Sequence, residues 1–142
     1  DTHMPKGITN VKFVAPGILA VSCNAFKSYD QAQIEMVDWA NSLKEYLGEK
    51  VNSIPLILMC DDADFVSETY NNFLWTTFTR ANPSHDIYGI DSFTKSKHRA
   101  CKGSLIIDTR IKPHHAPPLL LDDEVEKRVD ALFDRHPELA KL

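Results

Sequence analysis

The sequence predicts an α/β domain in which a central, mostly parallel sheet is flanked by helices. Three observations predict it. A continuous apolar run over 54–59 reads as a strand covered on both faces. Ala32, Met36, Ala40, Leu43 and Leu47 recur at helical spacing before it. Strand-like and helix-like stretches then alternate along the remaining chain. With 142 residues, of which 43% are apolar and 25% charged, there is length for one layered domain over 1–142 with a real core.

Taken in order, strands are expected at about 11–15 and 18–23, divided by Pro16 and Gly17, a dipeptide that turns the chain. A helix follows over about 30–47. Asp30 is its expected N-cap with Gln33 three residues on, and Gly48 can take a left-handed cap at its end. The buried run 54–59 stops abruptly at Asp61 and Asp62. Residues 64–80 place Tyr70, Leu74 and Phe78 on one helical face, and Pro83 disfavours helix in the residue before it, so the helix ends near Ala81. Short strands are expected at about 86–90 and 104–108. After a Pro- and His-rich loop over 112–118, Val125, Val129, Leu132 and Phe133 give a last helix with an acidic first turn.

Composition excludes some roles. A net charge of −4 and a pI near 5.8 argue against nucleic acid as a partner, because phosphate binders cluster Lys and Arg on a basic face. Cys23, Cys60 and Cys101 stand apart without a CxxC pair, an odd number that fits a reducing cytoplasm. Cys23 and Cys60 lie in apolar runs and are expected to pack as small hydrophobes. No apolar stretch approaches the ~20 residues of a membrane span. The chain opens on Asp1 without an initiator methionine, which suggests a piece of a longer protein.

Several constellations invite chemistry. Asp61, Asp62 and Asp64 lie at the carboxyl end of a strand and could suit Mg²⁺ or Mn²⁺, but aspartates just before a helix serve equally as caps, the favoured reading. His114 and His115 are adjacent and cannot both face one metal from regular structure. His85 and His98 have no partner nameable from sequence. Arg80 and Asp86 are six residues apart across Pro83, a spacing from which a turn could form a structural ion pair. Lys50 follows the Gly48 helix end, where it could complement the helix dipole or reach an anion beside the sheet. Lys95, Lys97, His98, Arg99 and Lys102 form a basic run that reads as a solvated loop. No nucleophile, base and orienting group occur together, so no catalytic set and no metal ligand set is assigned.

The stretch LILMCDDADFVSETYNNFLWTTFTRANPSHDIYGID resembles the C-terminal domain of the UbiD family. Asp61, Asp62, Trp75, Thr79, Arg80, Pro83 and Asp86 match that family's pattern of a buried strand ending in two aspartates, then W-x-x-x-T-R and x-x-P-x-x-D. GSLIIDTRIK is similar to the family's D-A-T-x-K element, with Asp108 and Lys112 retained and Thr109 in the place of alanine. The opening DTHMPKG also looks like the segment leading into this domain.

The resemblance implies the C-terminal domain of a reversible, non-oxidative decarboxylase of aromatic or α,β-unsaturated acids, dependent on prenylated FMN and Mn²⁺. It implies a partner in the family's N-terminal flavin-binding domain, which holds the catalytic Glu-Arg-Glu set and the metal ligands and matches nothing here. Alone, the chain is therefore expected to be inactive and to hold no cofactor tightly. A homo-oligomer in the cytoplasm is implied as well. Lys50, the lysine of the loop entering the buried strand, falls where some members contact the cofactor phosphate, and Phe93 falls near an aromatic residue that some members place against the substrate. The alternative is a stand-alone domain of the same fold acting in interaction or regulation.

Overall fold

The structure, a computed structural model, describes residues 3–116 and 122–136. A five-stranded sheet runs in the order β1 (Ile8–Ala15), β2 (Ile18–Cys23), β3 (Leu56–Cys60), β7 (Leu105–Asp108), β4 (Ile87–Gly89). β2, β3 and β7 are parallel, and the outer strands β1 and β4 pair antiparallel, so the sheet is mixed with a parallel centre. Pro16 and Gly17 turn β1 into β2, and the φ of +82° at Gly17 is one that a side chain would strain.

The alternation of β3 sorts its side chains between two faces. Ile57 and Met59 join Leu19, Val21 and Ile106 beneath α1 (Tyr29–Leu47), whose Met36, Trp39, Ala40 and Leu43 are buried on them. Leu58 and Cys60 face the other way, against Ala63 and Val66 of α2 (Ala63–Glu68) and Phe73 of α3 (Tyr70–Arg80). The expected α/β sheet with helices on it is what forms.

Some boundaries differ from expectation, for identifiable reasons. α1 starts one residue earlier because Ser28, not Asp30, caps it, its Oγ accepting from the Gln31 amide at 3.3 Å. Pro55 lacks a ladder donor, and β3 begins after it, at Leu56. The helix expected over 64–80 is two helices. Thr69 breaks it with extended backbone (φ −140°, ψ 154°) and its hydroxyl caps α3 by accepting from the Asn72 amide.

The basic run does not form the expected loop, because Ser92–Lys95 (β5) and His98–Cys101 (β6) pair as a hairpin. Ser96 and Lys97 both adopt positive φ at its two-residue turn, the backbone that such hairpins need and that glycine usually provides, so no turn signal marks it. Part of the loop expected over 112–118 and the chain after 136 lie outside the described residues. The last helix, α4 (Asp123–Arg135), forms as expected, capped by Asp122, and none of its residues is buried. Among the described residues, no helix is long and apolar enough to cross a membrane.

Cys23 and Cys60 pack as expected. Burial, the larger cause, and the nearby Asp61 charge push the Cys60 thiol up to about 12, and burial pushes Cys23 up as well. Titration of the native chain with a thiol reagent near pH 8 is therefore expected to modify Cys101, the less buried cysteine, and to reach all three only in denaturant. Fast native modification of Cys23 or Cys60 would contradict this packing.

Candidate functional site

β2, β3 and β7 point their carboxyl ends the same way, and charged side chains gather at that edge. This is where open α/β sheets hold ligands. The last residue of β7, Asp108, is fully buried on the α1 side of the sheet. Its carboxylate grips Arg110, accepting from Nε at 2.9 Å and, through the other oxygen, from Nη2 at 2.8 Å. Arg110 Nη1 donates to Glu35 of α1 and to the Asn24 carbonyl, both at 2.9 Å. Its guanidinium also lies over Trp39 and Phe26. Burial opposes the Arg110 charge, but the bonds and charge of Asp108, then the bond from Glu35, outweigh it and raise the pKa further.

Lys112 is the second buried cation. Its Nζ donates to the carbonyls of Asp108, Arg110 and Arg80 at 2.9, 3.2 and 3.2 Å, and lies 3.4 Å from Asp86 Oδ2. Asp86 is fully buried, and its Oδ1 has no hydrogen-bond partner. Beside it the Lys112 amide donates to His115 Nδ1, and burial followed by the Lys112 charge lowers the His115 pKa. His114 stacks on Tyr29, which also meets His85. Among the described residues, no group of three or more His, Cys, Asp or Glu is placed to hold a metal.

The expected pair of Arg80 with Asp86 does not form. Lys112 reaches Asp86 from the loop after β7, while Arg80 Nη1 lies 3.7 Å from Asp61 Oδ2 and stacks on Trp75 at 4.9 Å. Asp86 still fixes the turn around Pro83, because its Oδ2 accepts from the Asn82 amide at 2.7 Å. Of the acidic cluster, Asp62 caps α2 by accepting from the amides of Asp64 and Phe65, the capping role expected of it. Asp61 accepts from the Ile111 amide at 2.7 Å, and Asp64 pairs with Lys12 on the surface.

On the α2 and α3 side of the same edge lies a cleft of about 520 Å³. Phe65, Val66, Trp75 and Ile111 wall it, with Thr76 and Arg80 among its lining groups. A second cleft, of about 380 Å³, lies between α1 and the β5–β6 hairpin. Phe93 lines it, 42% exposed, with Val37, Ile87, Tyr88 and Leu105. Lys50 lies elsewhere, exposed in the 3-10 turn Gly48–Ser53 at the amino end of β3. Neither cleft is lined by both Lys50 and Phe93.

No family model matches the chain. Over 79 residues it is 27% identical to a 4-hydroxybenzoate decarboxylase subunit of Chlamydia pneumoniae, covering 56% of this chain and 14% of that protein. A decarboxylase subunit is among its relatives. An uncharacterized protein of Chlamydia muridarum is likewise 27% identical over 82 residues, 58% of this chain and 14% of the relative. The matched stretch therefore spans about a seventh of each of these relatives. Among solved structures, vanillic acid decarboxylase of Sedimentibacter hydroxybenzoicus in its open form aligns with 84% of this chain and 27% of that chain at 14% identity, with a TM-score of 0.42. A second open form of it, with one component truncated, aligns with 82% of this chain and 26% of that chain at 13% identity and a TM-score of 0.37.

Asp108 and Lys112 stand in a motif legible in the sequence, but the buried network that they form with Arg110 and Glu35 is not legible there. One signal of it is present. Glu35 lies three residues after Ala32 and four before Trp39, so it interrupts the buried stripe of α1 with a charge that requires a partner. Nothing in the sequence names Arg110 as that partner, since 75 residues separate them.

Proposed function

We propose that the chain is the C-terminal domain of a UbiD-like non-oxidative aromatic-acid decarboxylase, working in the cytoplasm as part of a homo-oligomer. The observation that carries this reading is the meeting of three sequence elements at one edge of the sheet. Asp61 from the first lies beside Arg80 from the second, and Asp86 from the second lies beside Lys112 from the third. Residues that the resemblance picks out separately thus depend on one another physically. The sequence relation to a 4-hydroxybenzoate decarboxylase subunit supports the same reading.

In this reading prenylated FMN and Mn²⁺ belong to the flavin-binding domain that this domain packs against, and the flavin supplies the decarboxylation chemistry there. Among the described residues one cofactor contact fits and no group is placed to hold a metal. Lys50 is exposed and makes no ion pair among the described residues, leaving its ammonium available to a phosphate. Phe93, on the hairpin wall of its cleft, would present an apolar ring toward an aromatic acid. The exposed stripe Val125, Val129, Leu132 and Phe133 of α4 supports packing between protomers and would equally serve a stand-alone interaction domain.

The test uses the full-length protein. Loaded with prenylated FMN and Mn²⁺, it is expected to release CO₂ from an aromatic acid, and no turnover across phenolic and polycyclic acids would overturn the assignment. Lys50→Ala is expected to lower flavin content on purification while changing stability by no more than about 1 kcal/mol, the scale of a helix-dipole contact. Full flavin occupancy in that variant would remove Lys50 from the cofactor site.

A further inference from the structure

The β5–β6 hairpin leaves one of its two edges open. β6 lies against β4, where any side chain at Gly89 would collide with Cys101, and Arg99 Nη1 donates to the Ile87 carbonyl at 3.3 Å. β5 is the outer strand, and all of its residues are exposed. Its register fixes which backbone groups face outward. In a two-residue hairpin the residues flanking the turn, Lys95 and His98, exchange both backbone bonds, and so does the pair of Phe93 with Ala100. Ser92 and Thr94 stand at the alternate positions, so their N–H and C=O groups point away from β6. Among the described residues these groups find no protein partner.

The same hairpin concentrates positive charge that nothing neutralises. Lys95, Lys97, Arg99 and Lys102 are exposed and, among the described residues, form no ion pair. No Asp or Glu occurs between Ser92 and Lys102, and the neighbouring Asp91 is already held by Lys44 at 2.7 Å. The patch is basic in a chain whose net charge is −4. Alongside β5 runs the cleft of about 380 Å³, with Ser92 and Thr94 among its lining residues and with apolar surface from Val37, Tyr88, Phe93 and Leu105.

We propose that the open edge of β5 docks an extended, acidic segment of a partner protein, which adds to the hairpin as a third strand. The backbone of the segment completes the bonds of Ser92 and Thr94, its acidic side chains meet the lysines and Arg99, and an apolar side chain between them enters the cleft. Strand addition divides its work in this way, with main-chain bonds giving affinity and pockets beside the edge giving specificity. Charge selects the occupant. A second copy would bring the same unpaired cations to the edge, and like charges set against each other are what sheet edges use to prevent self-pairing. A nucleic acid would answer the charge but cannot continue a β ladder. A segment seated here would compete with an aromatic acid beside Phe93, yet the surface itself needs neither flavin nor substrate, so it stands or falls apart from the decarboxylase reading.

The test is a titration of the chain at low ionic strength with a capped peptide of about seven residues alternating Glu and Val, followed by amide NMR. The Ser92 and Thr94 amides are expected to shift saturably and to exchange more slowly with solvent, while the amides of the buried strand β3 stay in place. Replacing every Glu of the peptide by Lys, or N-methylating all of its amides, should weaken binding at least about tenfold, since one reverses the charge and the other removes the ladder donors. Thr94→Pro should do the same by deleting an outward donor, a substitution that edge strands accept where the N–H faces solvent. Unchanged affinity after any of these changes would overturn the proposal, as would equal binding of a single-stranded oligothymidylate. So would the absence of any saturable shift with the Glu peptide. Apart from Thr94→Pro, every arm is read on the unmodified chain and depends on no variant folding.

Discussion

Arg110→Met is expected to destabilise the folded chain by about 3–5 kcal/mol, the cost of leaving buried charges without their partner. Arg110 is fully buried, and its removal strands Asp108, fully buried itself, and Glu35, whose side chain is 14% exposed. It also empties the space over Trp39 and Phe26 and leaves the Asn24 carbonyl without this donor. Methionine fills part of the volume, so the loss reports charge more than packing. For a domain of this size the midpoint Tm should fall by roughly 10 °C or more, measured by circular dichroism at neutral pH. Arg110→Lys should recover only part, because an ammonium cannot reproduce the two-point grip on Asp108 while reaching Glu35. A wild-type melt for Arg110→Met would mean that water or another cation satisfies Asp108, and the network would lose its structural role.

Lys112→Met is expected to cost a similar amount, about 3–5 kcal/mol, through a different set of groups. The ammonium is the donor that ties the last carbonyl of α3, at Arg80, to the loop after β7. It is also the cation nearest Asp86, whose Oδ1 is already unpartnered. Without it Asp86 becomes an uncompensated buried carboxylate. Adding Asp86→Asn to Lys112→Met should therefore restore part of the loss, with a coupling of about 0.5–3 kcal/mol in a double-mutant cycle read from urea denaturation. Additive losses would show that Lys112 acts through its three carbonyl contacts and that the Asp86 charge is held by other means.

By itself the sequence determined the layered α/β fold, because its signals are local and periodic. The apolar run over 54–59 reads as a doubly covered strand, the stripe from Ala32 to Leu47 as the buried side of a helix, and Pro16 with Gly17 as a turn. The resemblance likewise marked Asp61, Arg80, Asp86, Asp108 and Lys112 as residues that matter. Which of them touch was decided by the tertiary structure alone. Arg80 and Asp86 are close in sequence and of opposite charge, yet the antiparallel pairing of β4 with β7 brings Lys112 to Asp86, while Arg80 lies beside Asp61. The hairpin turn at Ser96 and Lys97 carries no sequence signal because neither residue favours the positive φ that pairing imposes on it. Glu35 and Arg110 meet across 75 residues because α1 crosses the end of the sheet where β7 stops. Periodicity fixes the face to which a side chain points, whereas the partner of a buried charge is set by strand order and register, which no local pattern encodes.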